Sequence, residues 1–415
     1  MTEKNVTLVE KGLAQKEEVK YKTLDEYLAL NDKYKDLDVR KGISLLKKSK
    51  KHKIVPSSWI AKPGDEKEIV QIFKEIYHES YPFKEFESES EILKMIENPY
   101  FHWLVFRNGS GSIIGCIGLE IDIDNKKGIF HGLVLKQLYQ GFTDFSKLFI
   151  ATFCSLLRIF EKEILSVSCE VRSAHSKTQY MGKYLGLLPI VFLPNKDIFF
   201  NKEESEIIIV GYREEALKKY RSPKTVKITR QVLKSYLFAS HKHNIGSFKV
   251  KNYLNLVYKE KKITKCRELF TRRVEEDKFG NEYVRFFYGE SESRFTFFHN
   301  KYIKNIERIS YLVSSKEEFY VFIEKLIDFI RENTVRYCDC FISAYNPLHQ
   351  TILLNAGFEP YGYVPVYKYN KKENTLEDQI VFVYYKGEVK LERLKLIPET
   401  KELIQSLKPL WSLPE

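Results

Sequence analysis

No stretch of this chain approaches the roughly 18 consecutive apolar residues of a membrane span, and its first residues, Met1 to Lys4, carry none of the apolar core of a secretory signal. Cysteine is sparse: six residues at 116, 154, 169, 266, 338 and 340, too few and too irregularly spaced for a disulfide scaffold. Cys338 and Cys340 fall on one face of a strand pattern, yet no second Cys/His pair stands at zinc spacing. The HExxH, GxSxG and Walker patterns are missing. Gly109-Ser110-Gly111 lies between two strand patterns with no helix after it, so it reads as a turn and not as a phosphate loop. Together these absences predict a soluble cytoplasmic protein without a structural metal.

What is present is a chain of 415 residues, 43% apolar and 14% aromatic, enough for two cores. The formal charge of +12 is not spread evenly. Between Lys218 and Arg273 there are 17 Lys/Arg against Glu260 and Glu268 alone, a local excess larger than that of the whole chain. Residues 1–55 hold 14 basic and 9 acidic side chains and end in the basic run 47–53. Such segments suit anionic partners or act as solvated faces. The 218–273 segment also interleaves Tyr220, Tyr236, Phe238, Phe248, Tyr253 and Tyr258, the composition of a nucleic-acid groove or of an ordinary basic domain with an aromatic core.

Residues 1–54 read as a charged extension, helical around Leu24 to Leu46. Asp65 is placed to cap a helix carrying Ile69, Val70, Ile72, Phe73, Ile76 and Tyr77, and Ser88-x-x-Glu91 has the form of a capping box before a second helix. Three strands follow, near 103–106, 113–121 and 129–135, separated by Asn108-Gly109 and by Asp124 to Gly128, both turn-forming. Then come a helix over about 144–162, a strand over 165–171, a short helix over 177–185, and strands over 188–193 and 207–212. The order predicts an α+β fold, a mixed and mostly antiparallel sheet flanked by helices.

An internal correspondence is the strongest organisational signal. Ser173-Ala174-His175-x-x-Thr178-Gln179 precedes Gly186-Leu187. Ser343-Ala344-Tyr345-Asn346 and Gln350 precede Gly357-Phe358, with Gln179 and Gly186 each 171 residues before Gln350 and Gly357. Glu206 and Asp378, each opening an apolar strand, differ by 172. The period is domain-sized. It divides the chain into an extension (1–54), a first domain (55–215), a second domain with a basic start (216–390) and a tail (391–415).

The turn with Asn346, the short helix and Gly357-Phe358 resemble the C-terminal signature of the GNAT acyltransferase superfamily, and His175-x-x-Thr178-Gln179 resembles the His-x-x-Ser/Thr-Gln variant of that family. The resemblance covers about 57–213 well, 300–386 moderately and 214–299 hardly. It implies two GNAT-like domains, the second degenerate, in which two neighbouring strands splay apart and bind the pantetheine arm of an acyl-CoA. Leu133, Val134 and Leu135 on the splayed strand, the loop Gln140-Gly141-Phe142-Thr143 and Gln179 are then the cofactor residues. A capping role for Thr143 or Asp144 is the alternative reading of those residues, since a cap competes with an anion for the same N–H groups.

For proton transfer the candidates are His175, Glu120 and Asp122. Glu120 and Asp122 share a strand face with Gly118 and are either functional or solvated. His131 reads as an ordinary sheet histidine. The tyrosine that the family commonly places four residues before the Gly-Phe glycine is replaced by Gly182 and Leu353. The leading expectation is an N-acyltransferase moving an acyl group from acetyl-CoA or another acyl-CoA to an amine on a small molecule or protein. Two readings stay beside it: an aminoacyl-tRNA-dependent or RNA-binding transferase using 218–273, and a non-catalytic binding protein.

Overall fold

The computed structural model describes residues 23–45, 56–140, 143–253, 256–289 and 291–407; the basic run 47–53, Gly141 and Phe142 lie outside them. The fold is α+β, with a mixed, mostly antiparallel sheet flanked by helices. The chain forms two compact units: Met1–Glu170, Lys177–Leu188 and Ile209–Ala216 in the first, and Val171–Ser176, Pro189–Ile208 and Leu217–Glu415 in the second. No described helix is long and apolar enough to cross a membrane.

Among the described residues the first unit opens with α1 (Leu24–Leu30), capped by the Thr23 hydroxyl. The helix stops at Asn31, well short of Leu46, and single 3-10 turns lead through Gly42 to β1 (Ile43–Ser44). Leu24, Tyr27, Val39 and Ile43 are nevertheless buried. Next come β2 (Ser57–Ile60), α2 (Glu66–Tyr77), α3 (Glu89–Glu97), β3 (Phe101–Arg107), β4 (Ile113–Asp122), β5 (Lys127–Leu135), α4 (Thr143–Ile159), β6 (Ser166–Arg172) and α5 (Lys177–Tyr184). The hairpin β7 (Leu188–Phe199) and β8 (Lys202–Tyr212) follows in the chain, longer than the two strand patterns suggest and with Pro189–Ile208 belonging to the second unit.

Strands β1 to β5 form an antiparallel meander to which β6 adds in parallel. The β3–β4 turn is fixed by the Asn108 side-chain oxygen, which accepts from the backbone N–H of Ser110 and Ser112. One sheet face packs on α4 through Phe106 with Phe145 and Phe130 with Phe153. The opposite face packs on α2 and the turn before α3, where Phe73, Phe86 and Trp103 meet. The two expected helix caps work differently. Asp65 accepts from the Lys62 N–H and pairs with Arg107 at 2.7 Å, and Ser88 occupies the N-cap with its hydroxyl 3.1 Å from that of Ser90.

The second unit adds β9 (Val226–Ile228), α6 (Leu233–His243), β10 (Phe248–Val250), α7 (Glu260–Leu269), β11 (Phe270–Glu276), β12 (Glu282–Tyr288), β13 (Arg294–Asn300), β14 (Asn305–Leu312), α8 (Lys316–Glu332), β15 (Tyr337–Ser343), α9 (Pro347–Asn355), β16 (Glu359–Asn370), β17 (Thr375–Tyr385) and α10 (Pro398–Leu407). Its sheet runs β16-β17-β15-β14-β13-β12-β11. From the meander onward its order along the chain repeats that of residues 101–212: strands, a 17-residue helix (α4 or α8), a parallel strand, a short helix and a hairpin. One difference matters later. Strands β11 and β12 are joined by a tight turn around Asp277 to Asn281, where the first unit places α2 and α3 between β2 and β3.

Candidate active site

Strand β5 is joined to β6 only through Lys127↔Ser166, Gly128↔Val167, Ile129↔Ser168 and Phe130↔Cys169. Beyond that row the two part, and residues 131–135 keep a described strand partner on the β4 side alone. The cause is local. Cys116 pairs with Val134 and Gly118 with His131, so three steps of β5 oppose two of β4, a β-bulge. Gly132 within it has φ +57°, and a Cβ there would stand 2.8 Å from the Phe73 ring. Bulge and fork thus coincide, leaving main-chain groups of a central strand without a β6 neighbour.

His131 is the first residue past the last β5–β6 pair. Its Nε2 lies 2.9 Å from the Glu120 carboxylate on β4, with 32% and 48% of the two side chains exposed. The Phe101 ring lies nearly parallel to the imidazole, 6.0 Å away. An ionised carboxylate only accepts hydrogen bonds, so Nε2 carries the proton and Nδ1 is left with the lone pair. The arrangement is an oriented acid–imidazole pair able to take a proton through Nδ1.

The remaining candidates lie as follows. Asp122 holds the β4–β5 turn: Oδ1 accepts from the Asn125 N–H at 2.9 Å, Oδ2 from the Asn125 amide at 2.8 Å, and Lys127 is 3.6 Å away. Leu133, Val134 and Leu135 stand on the open stretch of β5, Val134 buried and its neighbours half-buried. Gln140 folds back and donates to the Leu135 carbonyl at 3.0 Å. Gly141 and Phe142 are outside the described residues, as is the Thr143 side chain. Phe145, a ring that would close the fork if it turned inward, packs on Phe106 at 4.8 Å instead. Gln179 is buried in α5. His175 is partly buried in the turn between β6 and α5. A Cβ at Gly182 would come within 2.2 Å of Ile209 Cδ1, so any side chain there requires that methyl group to move.

His131 is the residue that sequence reasoning passed over. Its signal was weak: the partner is 11 positions away, and the two meet only as diagonal neighbours on one face, Gly118 opposite His131 and Glu120 opposite Ile129.

The second unit repeats the fork with different contents. Strand β14 pairs with β15 only at Asn305↔Tyr337 and Ile306↔Cys338. Thr296↔Ser310 and Phe298↔Glu307 bracket a bulge in β14, where Arg308 has φ +56°. There Tyr311 reaches His349 of α9, hydroxyl to Nδ1 at 3.3 Å, and both rings pack on Phe319 of α8. The start of α8 is capped by the Ser315 hydroxyl, while Glu318 accepts from the Ser293 hydroxyl and the Ser314 N–H, both at 2.8 Å. Asn346 caps α9, and Gln350 spans from the Thr229 N–H to the Lys227 carbonyl. Cys338 and Cys340 are buried, which pushes both thiols well up, and no cluster fit for a metal occurs among the described residues.

In the basic segment, Tyr236 is fully buried between Phe248 and Tyr363, and Tyr258 packs on Tyr320. Those rings serve packing.

No protein-family model and no curated protein matches the chain. Among solved structures it is similar to spermidine/spermine N-acetyltransferase from Vibrio cholerae, at 14% identity over 40% of this chain and 96% of that one with a TM-score of 0.33. The same holds for spermidine N-acetyltransferase from Vibrio cholerae in complex with CoA and spermine (16%, 38% and 95%, TM-score 0.34). A putative phosphinothricin N-acetyltransferase gives 14% identity over 39% of this chain and 99% of that one, with a TM-score of 0.32. These are acetyltransferases of the GNAT type, and a likeness at this level assigns neither activity nor substrate to the chain.

Proposed function

We propose that the first unit is a GNAT-like N-acyltransferase that moves an acyl group from an acyl-CoA to an amine. The observation carrying this reading is the fork at Phe130 and Cys169, with the Glu120–His131 pair at its mouth. The residues present fit the cofactor. A strand edge without a neighbour accepts an amide-bearing arm as it would a further strand, and Leu133, Val134 and Leu135 supply that edge. When bound, the coenzyme supplies a thioester carbonyl as electrophile.

The chain's own residues do the rest. His131 Nδ1 takes a proton from the ammonium of the acceptor, whose nitrogen would then form the amide bond as the carbon–sulfur bond of the thioester breaks, its second proton leaving with the sulfur as a free thiol. Glu120 holds the imidazole in the productive tautomer and stabilises the imidazolium that results. Asp122 supports Glu120 by fixing the turn that follows it. The second unit, its fork filled by Tyr311, Phe319 and His349 and its helix start occupied by Glu318, holds no coenzyme in this reading.

The test is acetyl-CoA titrated against the full chain, followed by thermal shift and, with a panel of amines, by thiol release. A rise in melting temperature that saturates, with turnover lowered about 100-fold or more by Glu120→Gln or His131→Asn, is the expected result. A melting temperature unmoved by millimolar acyl-CoA would remove the reading.

A further inference from the structure

The bulges give the two units a common register. Cys116, Gly118 and His131 of the first correspond to Thr296, Phe298 and Glu307 of the second. In the first unit the face bearing Trp103 is covered by α2 and the turn before α3. In the second unit no described helix stands between β11 and β12, and the corresponding face is exposed at Arg273, Tyr283, Arg285, Arg294 and Arg308. The opposite face packs on α8, through Phe297 with Phe329 and Phe295 with Phe322.

On this face arginines stand among aromatic and aliphatic side chains. Strand pairing sets Arg273 directly opposite Arg285, and Arg285 opposite Thr296, which faces Ser310. Arg294 lies beside Phe287 and Leu312, and Arg308 stacks on Phe298, 4.9 Å from its centroid. All four arginines are exposed, and Tyr283 is 51% exposed on the same face. Glu275, 3.7 Å from Arg273, is the exposed acidic side chain there, while Glu307, opposite Phe298, is buried and pairs with Lys196 at 3.5 Å. Like charges directly opposite each other destabilise a sheet, so nothing in folding favours the Arg273–Arg285 pair. A polyanion laid across the strands would.

We propose that the outer face of β11–β14 binds single-stranded nucleic acid, with Arg273, Arg285, Arg294 and Arg308 taking phosphates and Tyr283 and Phe287 stacking on bases. Guanidinium forks suit phosphate oxygens in pairs. An open sheet offering rings and cations together suits unpaired bases, whose faces are free, better than a duplex, whose bases are not. A protein partner seated by apolar contact finds little to hold on a face this charged. The inference stands apart from the acyl-transfer reading.

The experiment is fluorescence anisotropy with the full chain, using oligouridylate and oligothymidylate of about a dozen residues and a duplex of equal length, between about 50 and 200 mM salt. Single strands should bind more tightly than duplex, with log K falling against log salt. The double variant Arg285→Ser/Arg294→Ser should weaken binding about tenfold or more and flatten the salt slope by about 1.4, at roughly 0.7 per phosphate contact. Tyr283→Ala should weaken binding without changing the slope, and Tyr283→Phe should retain it. Lys372→Ser/Lys390→Ser, which removes the same charge elsewhere on the surface, should leave binding unchanged. Preference for one sugar would identify the strand as RNA or DNA, and either supports the proposal. Absence of single-strand binding at the lowest salt, equal affinity for duplex, equal loss in the Lys372/Lys390 variant, or capture of phosphatidylserine vesicles without oligonucleotide binding would overturn it.

Discussion

Gly132 and Arg308 adopt the same left-handed backbone, φ +57° and +56°, at the same step of two β-bulges. An L side chain with a Cβ pays roughly 1–2 kcal/mol for that conformation. In the second unit Arg308 bears it on an open face, stacked on Phe298. In the first unit the bulge is under cover, and a side chain has no room.

Gly132→Ala should therefore destabilise the protein by about 2–3 kcal/mol, combining backbone strain with overlap on Phe73 and Phe86. The urea midpoint measures it. A loss under half a kcal/mol would mean that the bulge relaxes freely.

Arg221 and Asp378 form a buried ion pair, with Nη2 2.5 Å and Nε 3.1 Å from the carboxylate. Asp378 is fully buried and also accepts from the Tyr363 hydroxyl and the Val366 N–H. Arg221→Met should cost about 3–5 kcal/mol by leaving that carboxylate without its cation. Arg221→Lys should fall between, because a point charge replaces a planar fork. Equal loss in both variants would show that the geometry of the fork is what counts.

Burial pushes the His349 imidazole down to about 4, against an ordinary value near 6.5. The unfolded chain therefore binds a proton that the folded chain refuses. Stability is full above about pH 6.5 and is lost progressively as the pH falls toward 4. Burial pushes His243 down to about 4 as well, so it adds to the same window. His349→Gln should flatten the acid limb of a plot of urea midpoint against pH, and an unchanged limb would refute the assignment.

If Glu120 works through His131, their removal is not additive. Acylation turnover in Glu120→Gln/His131→Asn should match that of His131→Asn alone. A double variant slower by the product of the two single losses would mean that the residues act independently.

The meander was legible in the sequence because its signals are local: Asn108-Gly109 and the polar stretch after Asp122 make turns wherever the chain goes. The helix over 143–159 and the strand after it were legible by apolar periodicity. What the letters conceal is pairing length. Gly132-Leu133-Val134 do not by themselves announce that β6 leaves β5 at Phe130: the family resemblance alone implied a splayed pair, and the row at which it opens lies beside a bulge against β4. The expected helix to Leu46 fails for a related reason. Tyr27, Val39 and Ile43 are buried on three separate short elements, and their spacing imitates a single helical face. The strands of 270–299 went unread because β11 is exposed along most of its length and lacks alternation.

The early parting of β5 and β6 has a consequence for solvent. The centre of a sheet is ordinarily where amide hydrogens exchange slowest, yet residues 131–135 sit in mid-sheet with one flank unzipped. Deuterium should enter there well ahead of the rows on either side, as a fast window framed by protected strands. Whatever molecule fits the fork would announce itself by closing that window.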